Sequence, residues 1–124
     1  MNKKFLKKVI KNYKRNQKRI EEIKRDIYSG TSIDYTKINS QNGYSDMTTN
    51  LIHQFDTNKE RIKLQSYIDA VDRMILRLDD KEKTIYELYF IKCINWRGIE
   101  NRGYGKSTIF RSLDAIYTIL NEEL

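Results

Sequence analysis

Not one proline interrupts this chain, and glycine occurs only at positions 30, 43, 98, 103 and 105. Proline is the severest breaker of helix interiors, so apolar periodicities here can run on as unbroken helices. Reversals of direction fall to Gly, Asn, Asp and Ser. The 124 residues fit one compact domain, or a small domain with an extended helical arm. Apolar residues make up 39% of them, enough for a modest core and no more.

Four segments follow from the periodicity. In residues 1–28, Val9, Tyr13, Ile20, Ile23 and Ile27 share one helical face, with Leu6 and Ile10 beside them and a polar gap at Asn16-Gln17. Lys and Arg fill the other faces, which predicts a single amphipathic helix that Ser29-Gly30 terminates. Residues 29–48 are polar, carry Asn42-Gly43 and keep no period, so they read as a linker. Residues 49–78 read as one helix. Its second half places Leu64, Ile68, Val71, Ile75 and Leu78 in a 4-3-4-3 step, flanked by Tyr67 and Met74. That is a seam for another helix, either segment one or a second subunit in a homodimer, and two heptads are too few to specify a coiled coil.

In residues 79–124, Asp79-Asp80 suit a helix start. A helix over about 81–92 would bury Ile85, Leu88, Tyr89 and Cys93, Cys93 as a small apolar residue. Asn95 can cap a short helix Trp96–Arg102, with Trp96 in the core. Gly103-Tyr104-Gly105 makes a turn, and a last helix runs from Lys106 or Ser107 to about Leu120. The expected fold is all-α: a long basic N-terminal helix, a polar linker, and a helical domain over 49–124 with a helix-turn-helix at about 80–120.

The net charge of +7 is unevenly spread. Residues 1–28 hold eleven Lys/Arg against Glu21, Glu22 and Asp26, or +8, while the other 96 residues hold 13 basic against 14 acidic groups, or −1. Such a basic block attracts phosphate backbones, because each neutralised phosphate releases a counterion. A solvated face, a protein partner or a membrane surface are the other readings of a charge run. A second excess is local: residues 92–111 carry Lys92, Arg97, Arg102, Lys106 and Arg111 against Glu100 alone, or +4.

That local excess falls on the helix-turn-helix pattern. Ile109, Leu113, Ile116 and Leu120 give the last helix an inward stripe, leaving Lys106, Ser107, Thr108, Arg111 and Ser112 for its outer N-terminal face. A recognition helix presents such N-terminal residues to base edges in the major groove, where Arg can pair with guanine and Ser, Thr or Lys can bond bases or phosphates. Arg97, Arg102 and Lys92 are then placed to hold flanking phosphates of double-stranded DNA. The blander alternative is a plain three-helix bundle with a basic surface.

Residues 62–124 resemble the C-terminal part of the ArpU/RinA-type phage transcriptional regulators, which in turn are similar to region four of bacterial sigma factors. The resemblance rests on the helix ending Leu78-Asp79-Asp80, then Lys83-Thr84-Ile85-Tyr86-Glu87-Leu88-Tyr89-Phe90, Asn95-Trp96-Arg97-Gly98-Ile99-Glu100, and Ser107-Thr108-Ile109-Phe110-Arg111. Departures are Ile99-Glu100, where the group usually has Ile-Ala, and a turn richer in glycine than is common. The resemblance implies an activator of phage or mobile-element genes that contacts RNA polymerase. It does not imply a full sigma factor, since region two is absent.

Other chemistries fare poorly. Gly103-Tyr104-Gly105-Lys106-Ser107-Thr108 matches the end of a phosphate-binding loop, but Glu100 stands where its first glycine belongs and a helix, not a strand, precedes it. One histidine, His53, and one cysteine, Cys93, cannot make a zinc site without carboxylates, and no third group orients them as a nucleophile pair. Neighbouring acids such as Glu21-Glu22, Asp79-Asp80 and Glu122-Glu123 point apart on a helix. No enzyme, cofactor or metal is therefore expected. The nine tyrosines could stack single-stranded bases, although Tyr67, Tyr89 and Tyr117 fall on or beside apolar stripes. With no apolar leader, no spanning segment and a single cysteine, the expectation is a cytoplasmic protein. Two competing functions remain: a small terminase subunit for DNA packaging, and a helical adaptor that uses the Leu64–Leu78 seam.

Overall fold

The computed structural model describes residues 2–30 and 41–124, with side chains for 2–29 and 49–124, and every regular element among them is a helix. The all-α class follows. The chain forms α1 (Lys3–Lys11), α2 (Tyr13–Gly30), α3 (Gln41–Thr57), α4 (Lys59–Arg77), α5 (Asp80–Tyr86), α6 (Trp96–Glu100) and α7 (Lys106–Glu123). They group into two units, one of residues 1–13 and 67–124 and one of residues 14–66.

Local chemistry places several helix ends away from the sequence expectation. The first segment is not one helix: the backbone relaxes at Asn12 (φ −89°, ψ 5°), a residue that competes poorly for a helix interior. The 49–78 segment also divides, because Asn58 accepts from the Arg61 amide at 2.9 Å and so caps a new helix, α4. Of the polar stretch 29–48, Ser29 and Gly30 close α2, residues 41–48 open α3, and residues 31–40 lie outside the described residues.

In the first unit, α1 is part of the core rather than a free arm. Its Leu6, Val9 and Ile10 are 3–4% exposed and cluster with Ala70, Val71, Met74 and Leu78 of the α4 end. From Val71 on, the 4-3-4-3 seam thus shares one buried cluster with segment one of the same chain, one of its two expected partners, so this stretch is not an open surface. α7 completes the core through Ile109, Leu113, Ile116 and Leu120, packed with Ile85 and Tyr86 of α5 and with Ile99 of α6. Ion pairs fasten the rim: Arg73 to Glu123 at 2.8 Å, Arg77 to Glu122 at 2.7 Å and to Glu123 at 3.0 Å, and Lys3 to Asp114 at 2.9 Å. The Arg73 and Arg77 guanidinium groups hold the Glu123 carboxyl below the usual carboxylate range. Tyr13 donates to Asp72 at 2.6 Å.

α5 opens with a capping box: the Asp79 carboxylate accepts from the Glu82 amide at 2.7 Å, and the Glu82 carboxylate from the Asp79 amide at 3.0 Å. The helix then widens into a π segment, Glu87–Ile91, and closes with the Ile94 amide donating to the Leu88 carbonyl at 2.9 Å. This bond spans seven residues, one more than the six-to-one closure of an α-helix, in which a left-handed residue, usually glycine, stands just before the donor. Here Cys93 supplies it at φ 56°. Cys93 is exposed, not buried as its size and apolarity suggested.

The second unit has a smaller core. Ile20, Ile23 and Leu51 are buried, and so is Asn16, half of the polar gap in the segment-one stripe. Arg19 bonds Glu60 at 2.9 Å, and the Arg61 guanidinium lies 5.0 Å from the Phe55 ring. No described helix is long and apolar enough to cross a membrane.

Candidate nucleic-acid interface

The site is built on the α5–α6–α7 succession of the first unit. Asn95 caps α6 by accepting from the Gly98 amide at 2.8 Å. A Cβ at Gly98 would lie 2.6 Å from Ile94 Cγ2, so only glycine lets α6 seat this closely on the preceding strand of chain. Gly103, at φ 102°, makes the turn, and Gly105 precedes α7 without any side-chain cap.

α7 buries one flank completely: Ile109, Ile116 and Leu120 are 0% exposed. Opposite that stripe, Ser107 and Arg111 are exposed on the outer line of the helix, followed by Asp114, which Lys3 holds. Thr108 is half-buried. Ser112 is 5% exposed, which removes it from the group of outward readers expected from the sequence. The reason is its register: three residues after Ile109 and four before Ile116, it lies on the edge of the apolar stripe, where α7 meets α5. Thr108, Arg111 and Ser112 line a cavity of about 230 Å³ with Asp79, Lys81 and Glu82.

The other flank joins α6 to α7. Trp96 is half-buried rather than fully in the core, and its ring is bracketed by two cations, with the Arg97 guanidinium 5.3 Å and Lys106 Nζ 4.9 Å from its centroid. Phe110 stacks obliquely on the same ring at 5.8 Å and stays 41% exposed. Arg97, Lys106, Trp96 and Phe110 therefore form one continuous surface. Arg102 is exposed in the turn after α6, its backbone amide bonded to the Ile99 carbonyl at 3.0 Å. Lys92 is exposed at the end of the π segment, 4.0 Å from Glu87.

The charges on this surface are largely uncompensated. The unit's other arginines, Arg73 and Arg77, pair with Glu122 and Glu123, whereas Arg97, Arg102, Lys106 and Arg111 form no ion pair among the described residues. Asp79 and Glu82, the acids that share the cavity with Arg111, are committed to the α5 capping box.

No family model, curated protein or solved structure matches the chain.

Sequence reasoning missed Phe110. Its signal was available: in the first two turns of α7 it is the large apolar residue that falls off the Ile109–Leu113–Ile116–Leu120 stripe. The described residues hold no cluster of three or more His, Cys, Asp or Glu suited to a metal.

Proposed function

We propose that the protein is a sequence-specific regulator of transcription that binds double-stranded DNA through a helix-turn-helix formed by α6, the Gly103–Gly105 turn and α7. The observation that carries this reading is the uncompensated cationic surface of Arg97, Arg102, Lys106 and Arg111 around the open end of a helix whose opposite flank is sealed in the core. Unpaired, exposed cations on a rigid helical frame are what phosphate contacts need. In this reading the first turn of α7 enters the major groove, Arg111 and Ser107 face base edges, and Arg97, Arg102 and Lys92 hold phosphates on either side. Lys106, drawn over Trp96, sits between those two roles. Thr108 is half-buried beside Arg111 at the cavity, and Ser112, which is buried, makes no DNA contact.

The resemblance to ArpU/RinA-type regulators supplies the biological setting: activation of phage or mobile-element genes, with RNA polymerase as a partner and dimerisation as a means of lengthening the site read. The test is to incubate the purified protein with fragments of its source genome at near-physiological salt, recover the bound DNA and sequence it. A sharp peak upstream of a transcription unit is expected. A peak at a packaging origin would transfer the protein to DNA packaging, and recovery no better than bulk DNA would reject a sequence-reading role.

A further inference from the structure

We infer that Phe110 is a specificity-determining residue that recognises the 5-methyl group of thymine in the major groove, an inference that rests on the DNA-reading role of α7 proposed above. Phe110 is an apolar ring kept at 41% exposure within the first two turns of α7, with Lys106, Ser107 and Arg111. The core does not account for it, since the α7 stripe is complete without it. Yet the ring is not loose: Trp96 backs it at 5.8 Å, and Trp96 is itself held between Arg97 and Lys106. A fixed apolar ring ringed by cations is a poor fit for a hydrophobic protein groove, which would have to desolvate those charges. Against DNA the same ring of cations meets phosphates. The one apolar feature on the floor of the major groove is the thymine methyl.

Position adds to the argument. Phe110 follows Lys106 by four residues and precedes Arg111 by one, so it stands on the α7 face between the α6 side and the outer line of Ser107 and Arg111. A helix docked with Arg111 over one base pair brings Phe110 over a neighbouring one. The expected specificity is therefore a thymine next to the base pair that Arg111 reads.

The test uses the full-length protein and the DNA site recovered from genomic selection. Each thymine is replaced in turn by deoxyuridine, which deletes only the methyl, and affinity is measured for the wild type and for Phe110→Ala. Burying one methyl is worth about a fourfold change in Kd. The expected result is a loss of about that size at one or two thymines for the wild type and no loss at those positions for Phe110→Ala. Sequence-selective binding that is indifferent to every deoxyuridine would overturn the inference and leave the DNA-reading role intact. So would an equal loss in Phe110→Ala, because another side chain would then own the contact. Absence of any sequence-selective binding would instead reject the DNA-reading role, and the inference with it. Should Phe110→Ala fail to fold, Phe110→Ser makes the same comparison, and the deoxyuridine effect is again expected to vanish at those thymines and its persistence to overturn the inference.

Discussion

Two arginines on the candidate interface should fail in different ways when removed. Arg102 lies in the turn with its backbone bonded to Ile99, so Arg102→Gln leaves the fold in place and deletes one exposed charge. Arg111 lies on the outer line of α7. Lys92, Arg97, Arg102 and Lys106 are all exposed, and if each neutralises one phosphate the slope of log K against log salt from this face is about −3.6. A rise from about 50 to about 200 mM salt then weakens binding by roughly 150-fold. Arg102→Gln should cut that slope by about 0.9 and weaken all sequences alike. Arg111→Ala should cost on the order of 1–3 kcal/mol at the selected site and little at random DNA, narrowing the gap between them. Lysines of the N-terminal segment that reach DNA would steepen every slope equally, so the difference between variants is the quantity to read. The assay is fluorescence anisotropy on matched specific and random duplexes across a salt series. If Arg102→Gln leaves the slope unchanged, or if Arg111→Ala weakens specific and random DNA equally, the division into phosphate and base contacts is wrong.

Two further predictions concern stability. Cys93→Gly should stabilise the protein by about 0.5–1 kcal/mol, because a left-handed non-glycine costs about 1–2 kcal/mol and the greater unfolded freedom of glycine returns part of it; urea melts should show a raised midpoint, with Cys93→Ala unchanged as the control for side-chain loss. Burial pushes Tyr86 and Tyr117 up to about 12, Tyr86 with help from the nearby Tyr13 and Asp72, and Tyr117 from Tyr89 and Asp114. Since the folded state prefers the neutral phenol, this contribution is fully present below about pH 10 and is lost as pH rises towards 12. Absorbance at 295 nm should therefore show two tyrosines titrating late, and the urea midpoint should fall over the same range, less so in Tyr86→Phe; titration of all nine near pH 10 without unfolding would contradict it.

Much of the frame was legible because it depends on strong, short-range signals. Asp79 and Asn95 are caps in the structure as their types and positions imply, and Ile68, Val71 and Leu78 are buried as their spacing implies. The same kind of signal was present at Asn58, after Asp56-Thr57, but the strength of the following seam concealed it, and one helix was expected where two stand. Cys93 was misplaced for a different reason. Its burial was inferred from residue type, while its position is fixed by the way the preceding helix ends, through a π segment and the bond from the Ile94 amide to the Leu88 carbonyl. Nothing in the residue itself announces that.

The interface was less legible than the frame, and Ser112 and Phe110 show why. Periodicity gives the centre of a buried stripe but not its width. On α7 the centre is the Ile109–Leu113–Ile116–Leu120 line, and the neighbours decide how far burial spreads to either side. Towards α5 the packing is close, so a serine is swept inside. Towards α6 the flank is occupied by Trp96, which spends its ring on two cations instead of sealing the edge, so a phenylalanine is left out. Polarity alone would assign these two residues the opposite way. A polar residue drawn in and an apolar residue held out on the same helix mean that the outward chemistry of α7 is set by its packing partners, α5 and α6. On this reasoning the sequence preference of the protein should respond to Trp96, which lies in α6, as well as to the residues of α7 itself.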